Sequence, residues 1–202
     1  ITIDSSNFDC GNIGSNNVWF YATDVNGNID SAIAVVTITD TIAPTILTQN
    51  ITIALDSFGD ASITVFDVNN GTWDSCGVVS TALSLDTFDC GNVGPNNIWF
   101  YATDVNGNTD SSIVTITVLD SIAPHIITQN ITVFLDTFGT VSIDSADLNN
   151  GTWDSCGVAS IAISQNTFGC ADHGLTLPVL FTATDVNGNT ITDTAFVTVF
   201  DT

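Results

Sequence analysis

The five cysteines are the residues of this chain best suited to covalent chemistry. The spacing from Cys76 to Cys90 equals that from Cys156 to Cys170, which predicts two disulfides between these partners. Cys10 corresponds to Cys90, so its partner is expected outside the window of this sequence. A metal site is the alternative, but CxxC spacing and nearby histidines are missing. A disulfide that closes a loop of about 15 residues contributes roughly 3 kcal/mol and persists outside the reducing cytosol.

An oxygen-rich loop, Asp-x-Asn-Gly-Asn, occurs three times in the sequence. Alternating oxygen-bearing side chains with a turn glycine are typical of a site for a hard cation such as Ca²⁺. The spacing is similar to the start of an EF-hand loop, but the Glu that would complete one is missing. The alternative is a hairpin turn in which Asp and Asn cap their own backbone.

Catalysis is not expected. The chain has no Glu, Lys or Arg for acid–base or oxyanion chemistry. Its two histidines, His125 and His173, each occur in only one copy of the repeat described below, and a catalytic histidine needs a positioned partner. We therefore expect both to be solvated. A glycosidase-like Asp pair is conceivable, but aspartates that recur in every copy favour a structural task.

The charge of the chain is of one sign only. Its 22 acidic residues are all Asp, Lys and Arg are absent, and the formal net charge is −22. Nucleic-acid binding and basic membrane-surface helices are therefore excluded. No apolar run is long enough to insert into a membrane, and no signal peptide is recognisable in this window. With 44% hydrophobic residues, the chain has enough apolar area to fold.

The sequence repeats with a period of about 80 residues. Residues 10–28 match residues 90–108 at 16 of 19 positions, and the last copy carries one inserted residue between Cys170 and Asp185. We therefore predict three segments: the C-terminal half of a repeat (1–41) and two complete repeats (42–121 and 122–202). In such an array each repeat contacts mainly its neighbours in the same chain.

Alternating apolar residues within each copy predict short strands. Ile98, Phe100 and Ala102 share one face of such a strand, and residues 61–65 are expected to form another. Asn-Gly at 106–107 is typical of a hairpin turn. The pattern predicts an all-β fold of tandem immunoglobulin-like β-sandwich repeats, with a seventh strand hidden within residues 84–97.

Four tryptophans allow two interpretations. Trp73 and Trp153, each three residues before a cysteine, are expected to pack on the disulfides. Trp19 and Trp99 precede Tyr21 and Tyr101 in the alternating pattern. These could form an exposed sugar-binding row, but packing on the sheet is the favoured interpretation.

In a sandwich of this kind the last hairpin loop and the loop before the third strand lie where the chain enters. This would bring Asp104 and Asp74 near Asp40, and Asp185 and Asp154 near Asp120. Like charges without internal counter-charges repel, and bound cations would relieve this repulsion. We therefore expect structural Ca²⁺. The predicted ligand set is Asp24, Asn26, Asn28, Asp40, Asp74, Asp104, Asn106, Asn108, Asp120, Asp154, Asp185, Asn187 and Asn189.

The order APTI, NITIAL, WDSCGV, FDCGNVG, IWFYATDVNGNT and ITVLD resembles the hyalin-repeat (HYR) and related immunoglobulin-like modules. The matching motifs are Asp74–Gly77 and Ala102–Asn108. The resemblance implies a tandem stalk of a giant adhesin secreted to a bacterial surface, as in gliding-motility adhesins. It implies an adhesive or structural role and not a catalytic one.

Asp-(Ser/Thr)-apolar triplets look like the O-glycan acceptor sequence of some surface-coated bacteria. The candidate acceptors are Ser31, Thr41, Ser121, Ser145 and Thr194. Asn-x-Thr sequons at Asn50, Asn70, Asn130 and Asn150 would matter only in a eukaryotic secretory pathway.

The sequence thus favours a secreted, cell-surface, non-catalytic stalk of an extracellular filament or adhesin, in which chains could also associate laterally. The alternatives are an array of carbohydrate- or protein-binding modules, or an accessory region of a secreted hydrolase. Near-identical repeats favour the stalk, because recognition surfaces tend to diversify and spacers need not.

Overall fold

The structure, a computed structural model, describes residues 1–201. The chain forms two compact units. One contains residues 1–51, 63–86 and 97–116, and the other contains residues 52–62, 87–96 and 117–202. These units do not coincide with the sequence repeats, so the predicted repeat boundaries stay a prediction.

Apart from two helical turns and three 3₁₀ turns, the regular secondary structure of the described residues is all β. The strands are β1 (Thr2–Ile3), β2 (Gly14–Thr23), β3 (Ile29–Ile38), β4 (Ile51–Ala54), β5 (Ala61–Ser62), β6 (Val78–Leu83), β7 (Thr87–Phe88), β8 (Gly94–Asp104), β9 (Thr109–Leu119), β10 (Ile131–Phe134), β11 (Thr140–Ser142), β12 (Val158–Ile163), β13 (Thr167–Gly169), β14 (Thr176–Asp185) and β15 (Thr190–Phe200). The short helices are α1 (Val65–Val68) and α2 (Ser145–Leu148). Three 3₁₀ turns lie at Cys10–Asn12, Cys90–Asn92 and Cys170–Asp172.

The last repeat shows the sandwich most clearly. One sheet has the order β10-β15-β14-β12, and a second pairs β11 with β13. Strand β10 runs parallel to β15, whereas the β14–β15 and β12–β14 pairs are antiparallel. The preceding repeat has the same order, β4-β9-β8-β6 and β5-β7, and the first copy contributes β1-β2-β3. The predicted all-β, immunoglobulin-like fold is confirmed.

The apolar residues that recur at every second position of a strand are the buried ones. Val179, Phe181 and Ala183 on β14 are fully buried, because successive side chains of a strand point to opposite faces. Val179 and Phe181 pack with the buried face of β15 in a cluster that is completed from other elements. The remaining buried members of that cluster are Leu135, Ile143, Leu148, Phe168, Ala195, Val197 and Val199. At about 25 cal/mol per Å² of apolar area, this burial is the main stabilising term of the repeat.

Two details of the predicted strands change in the structure. Residues 61–65 were expected to continue as one strand, but β5 stops at Ser62 and the chain turns into α1. Asp67 accepts hydrogen bonds from both the backbone N–H and the hydroxyl of Thr64, and so caps the helical turn. The additional strand expected within residues 84–97 is present as β7, which pairs with β5.

Candidate cation site and disulfide junctions

The disulfides join one repeat to the next and not two positions of the same repeat. Cys10 is bonded to Cys76, and Cys90 to Cys156, each pair 66 residues apart in sequence. Cys170 is a free, exposed thiol. The predicted pairs Cys76–Cys90 and Cys156–Cys170 are therefore wrong, as is the expectation that the partner of Cys10 lies outside this sequence.

The geometry of the last repeat explains the correction. Cys156 lies two residues before Val158, which is opposite Asp185 at the end of β14. Cys170 comes before the start of the same strand at Thr176. A ten-residue strand spans about 33 Å, whereas bonded cysteines have Cα atoms about 4.4–6.8 Å apart. The two cysteines of one repeat thus belong to opposite ends of a strand, and a cysteine of the neighbouring repeat is closer.

The Cys90–Cys156 disulfide lies against a tight turn at Gly59. Gly59 is buried with φ +83°, and a Cβ placed on it would lie 2.8 Å from Cys90 Sγ. Beside it, the Ser155 hydroxyl donates a 2.7 Å hydrogen bond to the carbonyl of Ser57. Gly139 stands in the same relation to Cys170, with a Cβ position 2.5 Å from Sγ. The repetition of Gly59 at Gly139 was visible in the sequence, as was the equal spacing of the two bonded pairs.

The Asp-x-Asn-Gly-Asn loops are hairpin turns closed on their own aspartate. Asp104 Oδ1 accepts from the backbone N–H groups of Asn106 and Asn108, both at 2.8 Å, and Oδ2 accepts from Asn108 Nδ2 at 2.7 Å. Asp185 repeats the pattern with Asn187 and Asn189, and Asp24 with Asn26 and Asn28. In all three loops both carboxylate oxygens already have partners.

These loops also hold the linker that enters each repeat. Asn108 Nδ2 lies 3.2 Å from the carbonyl of Asp40 and 3.4 Å from that of Ile42. Asn189 makes the same two contacts with Asp120 and Ile122. The hairpin loop and the linker are therefore neighbours, as the sequence predicts, and an asparagine amide joins them.

The hydrogen bonds determine the titration of the loop aspartates. Burial raises the pKa of Asp104 and of Asp185, but the Asn side-chain amide and three backbone N–H groups outweigh it and hold each pKa below its ordinary value. In the exposed first loop the Asn28 amide and the same kind of backbone donors lower the pKa of Asp24. These carboxylates therefore stay ionised to acidic pH.

A second pair of carboxylates lies close together at each linker. Carboxylate oxygens of Asp40 and Asp74 lie within 4.8 Å of each other and of Cys76 Sγ, and Asp120 and Asp154 form the same cluster with Cys156. The cysteines are oxidised, so their sulfurs are not thiolate ligands. The structure thus brings the acidic groups of the linker and of the Asp-Ser-Cys-Gly motif together.

Within each cluster one oxygen of each carboxylate accepts a backbone hydrogen bond. The other oxygen of the linker aspartate has no hydrogen-bond partner among the described residues. Asp40 Oδ1 accepts from Ile42 N–H, and Asp74 Oδ1 accepts from Cys76 N–H at 2.7 Å. Asp40 Oδ2 is buried and has no hydrogen-bond partner among the described residues; the same is true of Asp120 Oδ2. A buried carboxylate oxygen without a donor is costly, and a cation would compensate it. The donor set, hard oxygens only, fits Ca²⁺.

The two histidines and the four tryptophans are exposed side chains. His125 and His173 are exposed, and His173 Nδ1 accepts a hydrogen bond from Asp201 N–H. The Trp153 ring lies 5.8 Å from the His125 ring, centroid to centroid. Trp73 and Trp153 are about half exposed, at 54% and 52%. Trp99 and Tyr101 share the outer face of β8, opposite its buried residues.

The predicted glycan acceptors differ in access. Ser31, Thr41 and Ser121 are exposed, whereas Ser145 and Thr194 are half-buried. Ser145 is the first residue of α2, and Thr194 lies within β15. Glycosylation stays a prediction, and the exposed residues are its better candidates.

Comparisons with known proteins give distant structural similarity only. No protein-family model and no curated protein matches the sequence. The chain is similar to extracellular domains 1–3 of protocadherin gamma C5 (12% identity, TM-score 0.42, covering 95% of this chain and 78% of that one). It is also similar to domains 22–24 of mouse cadherin-23 (14% identity, TM-score 0.40, covering 98% and 78%).

A third similar structure is that of extracellular cadherin domains 1–4 of protocadherin gamma B7, at 11% identity and a TM-score of 0.38. It is matched over 96% of this chain, which spans 59% of its length. At these scores the similarity does not extend to function. Among the described residues, no helix is long and apolar enough to cross a membrane.

Proposed function

We propose that this chain is a non-catalytic structural stalk of an extracellular filament or cell-surface adhesin, built of disulfide-linked immunoglobulin-like repeats. The observation that carries the proposal is the pairing of Cys10 with Cys76 and of Cys90 with Cys156, which ties each repeat covalently to the next. A spacer benefits from such bonds, and they persist in oxidising environments. The resemblance to hyalin-repeat modules of bacterial adhesins supports the same role.

Imaging of single molecules tests the stalk. We expect negative-stain images of the secreted protein, isolated in its natural length, to show thin beaded filaments whose length grows with the number of repeats. Compact particles of constant diameter would contradict the proposal. Intact mass of the same preparation also tests glycosylation, because each occupied site adds mass to the polypeptide. A mass equal to that of the bare polypeptide would exclude glycans at Ser31, Thr41 and Ser121.

We also propose that Ca²⁺ binds between Asp40 and Asp74 and between Asp120 and Asp154. The support is the orphaned Oδ2 of both linker aspartates beside a second carboxylate. Backbone carbonyls and water would complete the six to eight oxygen ligands that Ca²⁺ takes. The hairpin aspartates Asp104 and Asp185 would support these two sites from outside, because their own oxygens are engaged by Asn and backbone N–H groups.

A pair of variants tests the cation. Calcium at 100 times its Kd stabilises by about 2.7 kcal/mol per site, so it should raise the melting temperature of the wild type measurably. In D40N/D120N this gain should be largely lost, whereas in EDTA the variant should melt higher than the wild type, since an amide replaces a repelling carboxylate. D30N/D110N, exposed and equal in charge change, is the control. Equal calcium gains in all three proteins, or none, would contradict the site.

A recognition surface is the competing function. Trp99 and Tyr101 stand half exposed on the outer face of β8, as a sugar-binding row would require. The last copy has Leu180 and Thr182 at these positions, so the row is not repeated. Quenching of tryptophan fluorescence by oligosaccharides, lost in W99A, would favour binding over the stalk.

Lateral self-association of chains likewise stays a prediction, to be checked by sedimentation.

A further inference from the structure

The two disulfides and the segment between them form one continuous short route through the molecule. The route enters at Cys10, crosses to Cys76, follows the chain to Cys90 and crosses to Cys156. From Cys156 a segment of the same length leads on to Cys170. Bonded Cα atoms are 5.2 Å apart at both crossings. The polypeptide between the bonded cysteines is a much longer parallel route of 66 residues at each bridge.

We infer that these bridges act as a covalent bypass that makes the chain between Cys10 and Cys156 nearly inextensible under tension. When two covalent routes join the same two points, the shorter one becomes taut first and carries the force. The shielded segments, 11–75 and 91–155, contain both linkers and eight of the fifteen strands. Pulling on the chain therefore cannot lengthen the molecule by unfolding them. The biological meaning of this bypass rests on the proposed stalk role.

The geometry bounds how far the middle repeat, which lies between the two bridges, can extend. The force-bearing segment between Cys76 and Cys90 holds only β6, β7 and their connections. Fully extended, this segment reaches about 50 Å, whereas a repeat of about 80 residues without bridges would reach about 270 Å. If the middle repeat loses its fold in the oxidised state it thus stays short, and its shielded strands remain close enough to fold again.

The Cys90–Cys156 disulfide also packs closely against a backbone turn. The Gly59 turn lies against the Cys90 sulfur with no room for a side chain, and the Ser155 hydroxyl donates to Ser57 beside it. Cys170 occupies the equivalent place in the last repeat, with its sulfur 3.6 Å from the Gly139 carbonyl oxygen. A bond of the same kind at Cys170 would extend the route by a further repeat.

Single-molecule force spectroscopy of this chain, held at both ends, tests the bypass. Each bridge spans 66 residues of chain. We therefore expect reduction of the oxidised chain to release two increments of about 220 Å each. Bridges within each repeat, Cys76–Cys90 and Cys156–Cys170, would instead release about 50 Å each. That result, or a contour length unaffected by reductant, would overturn the inference.

Cysteine variants make the assignment specific. C76S and C156S should each lengthen the oxidised chain by one increment of about 220 Å, whereas C170S should leave its length unchanged. Full contour length does not depend on whether a variant folds, so loss of stability cannot imitate the result. The stalk proposal is tested independently. Compact particles in images would refute it, whereas the two length increments on reduction would still be observed.

Discussion

At the scale of single residues, Gly59 shows how closely the backbone of one repeat approaches a sulfur of the junction. Its φ of +83° is unfavourable for any residue with a Cβ, and the Cys90 sulfur fills the space that a Cβ would take. The position therefore combines a conformational and a steric requirement, which explains why a glycine is also found at position 139.

The G59A variant is expected to separate these two requirements. Alanine in a left-handed conformation costs about 1–2 kcal/mol, and G107A, at φ +91° with nothing within 4 Å of its Cβ position, carries only that cost. G59A should lose at least about 1 kcal/mol more and leave Cys90 and Cys156 partly unbonded. Urea unfolding and thiol titration measure both effects. Equal losses in the two variants would contradict the steric argument.

Also at the residue scale, the hairpin aspartates should make stability depend on pH. The pKa of Asp185 is lowered by folding, so its contribution is complete above the unfolded value of about 3.9. That contribution is lost as the pH falls through the lower folded value. In EDTA, the wild type should melt above D185N at pH 6, and the difference should shrink below about pH 4. A difference that stays constant down to pH 2.5 would show that the carboxylate charge is not what the loop stabilises.

At the scale of elements, the hairpin between β8 and β9 holds the linker that enters its repeat. The Asn108 amide donates inward to Asp104 and lies within hydrogen-bond distance of the linker carbonyls of Asp40 and Ile42. In the first copy the Asn28 amide donates to Asp24, with no linker contact among the described residues. Where a linker is present, the asparagine amide thus both closes the hairpin turn and holds the linker.

The two asparagines form a matched pair for measuring this tether. Both N108A and N28A remove the bond within the turn, but only N108A removes the linker contacts, worth about 0.5–1.5 kcal/mol. We expect amide hydrogen exchange at residues 41–43 to accelerate severalfold in N108A and to be unchanged in N28A. Similar protection in the wild type and N108A would mean that the linker is held by other contacts.

At the scale of the whole molecule, a charge of −22 without a single Lys or Arg must weaken the fold by self-repulsion. Salt screens such repulsion, with a Debye length of about 10 Å at 0.1 M. The melting temperature should therefore rise between 20 and 500 mM NaCl in EDTA, with no Lys or Arg ion pairs to be lost in exchange. A melting temperature that falls or stays level over this range would contradict this account of the stability.

The sequence alone determined the fold class and most of the core. Period-two alternation is a local property, so it assigns Phe100 and Phe181 to buried faces without knowledge of their partners. Repetition likewise revealed the Asp-x-Asn-Gly-Asn turns, and the sandwich topology expected from the strands placed them near the linkers. Local patterns were less reliable at residues 63–65, where the Asp67 side chain captures the backbone of Thr64 and starts a helical turn.

Only the tertiary structure decided which cysteines pair and which carboxylates remain free. The short spacing between two cysteines of one repeat and the long spacing between cysteines of neighbouring repeats both recur in the sequence. Periodicity therefore cannot decide which of the two cysteine pairs is bonded. The length of β14 decides, because it separates Cys156 from Cys170 by a whole strand. In the same way, Asp104 and Asp40 are both acidic residues at one junction, but three-dimensional hydrogen bonding satisfies the first and leaves an oxygen of the second bare.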